Sequence, residues 1–188
     1  MGFFDKLKAN VNEALNTVKS EIGGSKAENI VFPDIPDTLE GFKALPQAAM
    51  ANPFDTAALT VAALCVYPMN KEASLQMLDF LRGPRPMGAM EKQFIADRFR
   101  DKDYVPRSYF NGAVPSNDYS PSAPYTVTVT ENPYSYAEEN YANLYVTSGG
   151  ADSPRAIKLR LAKDGKWYLW EQFILADIRQ PESANPWA

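Results

Sequence analysis

Histidine is absent from this chain of 188 residues, and cysteine occurs once, at Cys65. Without histidine the chain lacks the side chain whose ordinary pKa lies near neutrality, and with it the commonest metal ligand. Ser-His-Asp and Cys-His nucleophile systems are excluded, and so are zinc sites built on histidine. A single thiol can neither close an internal disulfide nor supply a thiolate cluster, which suits a reducing compartment or a fold with no reliance on cross-links. Positive charge is also short: 19 Lys and Arg stand against 23 Asp and Glu, for a formal net charge of −4. The basic stripe that displaces counterions from a nucleic acid is missing, so nucleic acid is not an expected partner. No apolar run approaches the ~20 residues of a membrane span. Asp5, Lys6 and Lys8 interrupt what would be the apolar core of a signal peptide, and Lys6 breaks the myristoylation pattern. These absences point to a cytoplasmic protein with no cofactor, no metal and no recognisable catalytic residue, and so away from an enzyme.

What remains is ordinary globular composition, 45% hydrophobic and 22% charged, in a chain long enough for one domain with attached segments. Residues 3–22 read as an amphipathic helix: Phe4, Leu7, Val11, Ala14 with Leu15, Val18 and Ile22 recur at three- and four-residue steps before Gly23-Gly24. Pro33, Pro36, Pro46 and Pro53 break residues 25–53 into a linker or arm. Its apolar Ile30, Phe32, Phe42 and neighbours predict that at least 30–46 lie against the domain, which is expected over residues 54–188. Asp55 is expected to cap a helix that is apolar almost all round. Asn70 caps a second helix to about Arg82, stopped by Gly83-Pro84. A third, from about Ala89 to Arg100, is expected to bury Met90, Phe94, Ile95 and Phe99. Four strands follow at 125–130, 144–147, 156–162 and 166–173, the last two joined by a hairpin at Lys163-Asp164-Gly165-Lys166. Phe173 to Ile178 suggests a short closing helix. The fold class is α+β: three central helices on a curved antiparallel sheet of about four strands, preceded by the amphipathic helix.

Residues 101–142 hold seven of the ten tyrosines and five of the fifteen prolines. Tyr104, Tyr109, Tyr119, Tyr134, Tyr136 and Tyr141, with Tyr125 and Tyr145, either line a groove for a peptide, glycan or small molecule or hold an irregular segment against the core. Strand parity puts Trp167 and Trp170 on opposite faces, so one of them needs a cover: the arm around Phe42, the closing helix, or a partner. Asp97 to Asp103 could bind Mg²⁺ or Ca²⁺ through oxygen ligands, but the interleaved cations favour a solvated helix end. Glu138-Glu139 point to opposite faces in an extended chain, and Ser148-Gly149-Gly150 precedes a strand rather than the helix an anion site would use. Cys65 sits on the most apolar helix, as an inert core thiol would. The segment 3–22 can dock on its own domain, pair with a helix of a protein partner or a second copy, or lie on a membrane; acids among its lysines disfavour the membrane.

The strings Leu39-Glu-Gly-Phe-Lys-Ala-Leu-Pro-Gln-Ala-Ala-Met, Asn52-Pro-Phe-Asp-Thr-Ala-Ala-Leu-Thr, Phe80-Leu-Arg-Gly-Pro and Gly150-Ala-Asp-Ser-Pro-Arg resemble a family of uncharacterised proteins from gut Firmicutes, over about residues 35–188. That resemblance implies no activity. The helices followed by an antiparallel sheet with a Leu-Arg-Leu…Asp-Gly-Lys-Trp hairpin are similar to NTF2-like cone folds, which host enzymes, binders and scaffolds alike. Two functions follow: a non-enzymatic binding or assembly module, or a pocket protein that binds or hydrolyses a small molecule between sheet and helices. On the first, deleting residues 1–24 should leave the domain folded but change its sedimentation or its capture of a partner; identical behaviour of both forms would mean that the segment has no part in assembly.

Overall fold

The computed structural model describes residues 25–187, so the stripe over 3–22 lies outside the described residues. Five strands pair into an antiparallel sheet in sequence order, with clean apolar–polar alternation in the second and fourth: β1 (Ala27–Phe32), β2 (Tyr125–Thr130), β3 (Tyr141–Val146), β4 (Arg155–Leu161) and β5 (Trp167–Gln172). One face buries Phe32, Val127, Val129, Leu144, Ile157 and Leu159, while Thr128, Asn143, Lys158 and Arg160 alternate onto the other. Strand β1 is one strand more than expected, and it comes from the arm. It pairs with β2 along its whole length, from Ala27 opposite Thr130 to Phe32 opposite Tyr125. The prolines delimit elements here instead of breaking them. Pro33 follows β1 at a sheet edge, and Pro46 and Pro53 each open a helical turn, where a missing N–H costs nothing.

Four α-helices occur among the described residues: α1 (Leu39–Lys43), α2 (Pro53–Val66), α3 (Lys71–Arg82) and α4 (Ala89–Phe99). Helix α2 begins three residues before the expected start. Asn52, not Asp55, is its cap, accepting the Phe54 N–H at 3.1 Å, because Pro53 presets the first helical φ and fixes the start. Nearly every side chain of α2 is buried, as its all-round apolar pattern requires. Its hydroxyls stay satisfied: Thr60 donates to the Thr56 carbonyl at 2.9 Å, Thr56 to the Trp167 carbonyl at 2.8 Å, and Ser74 of α3 to the Ala63 carbonyl at 2.7 Å. The space between sheet and helices is filled by Phe32, Leu59, Leu64, Leu78, Leu144 and Ile157, all essentially inaccessible.

The β4–β5 hairpin forms as expected, with one refinement. Only Gly165 takes a positive φ, at +81°; Gly165 N–H donates to the Ala162 carbonyl and Ala162 N–H to the Lys166 carbonyl. This is a three-residue loop with glycine at the left-handed position, not a two-residue turn. Residues 173–178 do not form the closing helix. They run as irregular chain with Ile174 and Leu175 buried, because the sheet edge offers those two side chains more burial than a helical stripe would.

Gly83 ends α3 with φ +57° and ψ −115°, a region that L side chains avoid, and a Cβ there would overlap the Tyr168 ring. Gly112 has a comparable φ of +83° but open space around it. Gly83→Ala should therefore lower unfolding free energy by about 2–4 kcal/mol and Gly112→Ala by only about 1 kcal/mol. Denaturant midpoints of the two variants check this, and equal losses would mean that the Tyr168 contact does not constrain the turn.

Candidate functional site

The eight aromatic residues singled out from the sequence do not form one groove. Tyr109 and Tyr119 are fully buried, and each phenol donates to a backbone carbonyl of the C-terminal segment: Tyr109 to Ile174 at 2.7 Å and Tyr119 to Arg179 at 2.6 Å. Burial pushes both phenols above the ordinary tyrosine range. Tyr104 stacks on Tyr119 with ring centroids 5.6 Å apart. Together these three clamp the irregular segment to the chain end. Tyr134 is 77% exposed on the β2–β3 connection. Tyr136, on the same connection, meets Trp167 edge to face at 6.3 Å, and its phenol is raised by burial and by its hydrogen bond to Glu131.

Tyr141 and Trp170 come together on the outer face of the sheet, with centroids 5.6 Å apart. The two tryptophans do lie on opposite sides: Trp167 packs against the core, and Trp170 is the extra residue where the β4–β5 register shifts. Neither the arm around Phe42 nor a closing helix covers the outer tryptophan. The Arg85 and Arg160 guanidinium groups lie over its ring, at 4.3 Å and 4.9 Å from the centroid. A cation over an indole contributes roughly 0.5–1 kcal/mol at an exposed site, and Trp170 remains half-buried beneath the two. Phe42 instead is buried in the core, edge-on to Phe80.

The exposed apolar surface gathers elsewhere, on α4. Of the four residues expected to be buried there, Ile95 is buried and Phe99 stacks on Tyr67 at 4.3 Å, but Met90 is 87% exposed and Phe94 47%. The reason is the link between α3 and α4. Arg82, almost wholly buried, donates to Glu91 Oε1 at 2.6 Å and to the Arg85 carbonyl at 3.0 Å, while Asp79 accepts the Met87 N–H at 2.7 Å and Glu91 the Gly88 N–H at 2.9 Å. This polar wedge props the start of α4 away from the core. An open cleft of about 320 Å³ results between α4 and the edge strand β5, floored by Leu64, Leu78, Ile95 and Leu169 and rimmed by Met90, Phe94 and Phe173. A depression of about 150 Å³ continues it between Phe94, Arg98 and Leu175. Phe173 is 54% exposed, so three large apolar side chains surround one groove. Sequence reasoning missed them because apolar residues at helical spacing read as core. A signal was present: Met90–Phe94 and Ile95–Phe99 are two separate i,i+4 stripes, and one helix face packs only one of them.

A second depression, of about 480 Å³, is lined by residues including Asp34, Cys65, Arg107 and Tyr125. Burial pushes the half-buried Cys65 thiol up, which disfavours its thiolate, and Arg107 donates its Nε–H to the Tyr119 carbonyl at 3.2 Å. The charged run at 97–103 resolves into surface ion pairs, Arg100 with Asp97 at 3.1 Å and Lys102 with Asp177, and Glu138 pairs with Lys158 at 2.6 Å. Ser148-Gly149-Gly150 is a packed bend. Gly149 N–H donates to the Ser108 carbonyl at 2.9 Å, and a Cβ on Gly149 would collide with the Ala113 carbonyl. Among the described residues no group of three or more Asp, Glu or Cys side chains is arranged to hold a metal ion, and no helix is long and apolar enough to cross a membrane.

Because the Tyr109 hydroxyl satisfies a buried carbonyl, Tyr109→Phe should cost about 1–2 kcal/mol, whereas Tyr134→Phe should cost nothing measurable. Equal thermal unfolding of both variants would mean that the clamp contributes nothing. Comparison with known proteins assigns no activity to these features: no curated protein and no solved structure matches the chain. One family model does match, over residues 34–182, which takes in everything from the end of β1 to the C-terminal turn. The chain belongs to that family, a domain of unknown function, DUF6935.

Proposed function

We propose that the chain is a non-enzymatic binding or assembly module that acts through the groove between α4 and β5. The observation that carries this is the exposure of Met90, Phe94 and Phe173 around one cleft whose floor is the hydrophobic core. Isolated exposed apolar residues are normal, but a contiguous set of large ones marks a surface that something covers. Covering the three removes apolar area worth on the order of 4 kcal/mol, about a thousandfold in an association constant. Strand β5 is at the sheet edge, so unpaired backbone groups on its free side can add hydrogen bonds to an extended or helical occupant. Bacterial origin and a cytoplasmic location belong to the same proposal. The pocket reading has less support, because the space beneath the sheet is occupied by side chains and the larger depression lacks an activated group.

A photoreactive benzophenone residue at position 94 or 173, introduced in cells, should give discrete cross-links to polypeptide. The same residue at Met69, 78% exposed on the α2–α3 connection, should not. If all three positions behave alike, the groove is not a docking surface.

A further inference from the structure

We propose that the Arg85 and Arg160 guanidinium groups, stacked on Trp170 on the outer side of the sheet, form a receptor for an extended acidic polypeptide. This surface is separate from the groove between α4 and β5 and does not depend on it. The first argument is charge without a partner. Arg82, Arg100, Arg107 and Arg179 each pair with a carboxylate. Among the described residues neither Arg85 nor Arg160 does, in a chain with more acids than bases. Acids on the neighbouring stretches are engaged elsewhere: Glu138 accepts from Lys158 at 2.6 Å, and Asp164 accepts the Tyr168 hydroxyl at 2.8 Å. Glu171 stands opposite Lys158 in the strand register. The two guanidinium carbons lie 4.3 Å and 4.9 Å from one ring centroid, so no more than about 9 Å separates them. Two cations that close repel each other, and an anion bridging them replaces repulsion with attraction.

The second argument is preorganisation. Arg85 stands between Pro84 and Pro86, and a following proline restricts the residue before it to extended conformations. The buried Arg82 donates its Nε–H to the Arg85 carbonyl at 3.0 Å, which fixes the backbone beneath the side chain. On β4, Arg160 donates from Nη1 to the Tyr141 hydroxyl at 2.8 Å, and Tyr141 in turn meets Trp170 edge to face. A guanidinium stacked on an indole uses its face, while its N–H donors lie in its plane and stay open at the rim. Side chains already held in place lose less freedom when an anion arrives.

The third argument is the chemistry of the anion. The guanidinium fork fits carboxylate and phosphate alike. A net charge of −4 repels a densely charged polymer such as a nucleic acid, which favours carboxylates spaced along a polypeptide. Neither arginine lines the clefts described above, so the ligand runs over a surface instead of filling a cavity. Alternate side chains of an extended chain point the same way at about 7 Å intervals. Acidic residues two apart therefore reach both guanidinium groups.

The test is fluorescence anisotropy of a labelled peptide of alternating Glu and Thr, titrated with purified full-length protein at low salt. Arg85→Gln and Arg160→Gln should each weaken binding about tenfold, as loss of a charge-assisted hydrogen bond predicts. Lys163→Gln, which removes the same charge from the exposed hairpin, should change it by about twofold at most. Both arginines are exposed, so their variants should keep the unfolding midpoint. A second measurement needs no variant: the Trp170 indole N–H resonance should shift on adding the peptide, and that of Trp187, 92% exposed on the C-terminal tail, should not. Absence of binding at millimolar protein, or a still Trp170 resonance, overturns the proposal. An equal loss in Lys163→Gln also overturns it, since net charge alone would then explain the binding. Tighter binding of inorganic polyphosphate to the same two arginines would overturn the choice of a polypeptide.

Discussion

Everything in this fold is arranged around one helix that is buried on all sides. Helix α2 lies between the inner face of the sheet and α3, and its small residues Ala57, Ala58, Ala62 and Ala63 are wholly buried. A helix in that position has no polar face to give to solvent, so its hydroxyls must be satisfied within the protein. Thr56 reaches the β5 backbone and Ala63 receives Ser74 from α3, which ties helix, sheet and second helix to one register. Closing the core this way leaves little apolar surface for α4 to cover.

That has a direct effect on α4. Its attachment comes from Ile95, Phe99 and the Arg82–Glu91 pair, and its second apolar stripe has nothing beneath it. A charged pair with one partner buried is held by geometry and hydrogen bonds more than by net stability, which makes it suited to fixing spacing. The groove exists because α4 is held at that spacing.

The tyrosine-rich segment solves a different problem. Residues 106–124 contain little regular structure beyond short 3₁₀ turns, so their backbone groups find partners one at a time. Tyr109 and Tyr119 hold the C-terminal chain, Ser108 meets Ser148 at 2.7 Å, and Asn117 braces its own loop through the Gly112 carbonyl at 2.8 Å. Hydroxyl tips on large apolar rings serve this purpose well, since the ring adds burial while the tip reaches a carbonyl.

The sequence by itself determined the elements with a strong local period: three helices, their stops, the four later strands, the hairpin at Gly165, and the opposite orientation of Trp167 and Trp170. These rest on interactions between near neighbours, which the chain order states directly. Tertiary structure alone decided the rest. β1 exists because β2 offers it a free edge, and nothing in Ala27–Phe32 distinguishes a strand from an arm. The closing helix gave way to two side chains buried beside the sheet. Whether Met90 and Phe94 are core or surface depends on whether α2 and α3 have already closed the apolar space, and on an ion pair nine residues apart in sequence. Periodicity shows which residues share a face; only packing decides what that face meets.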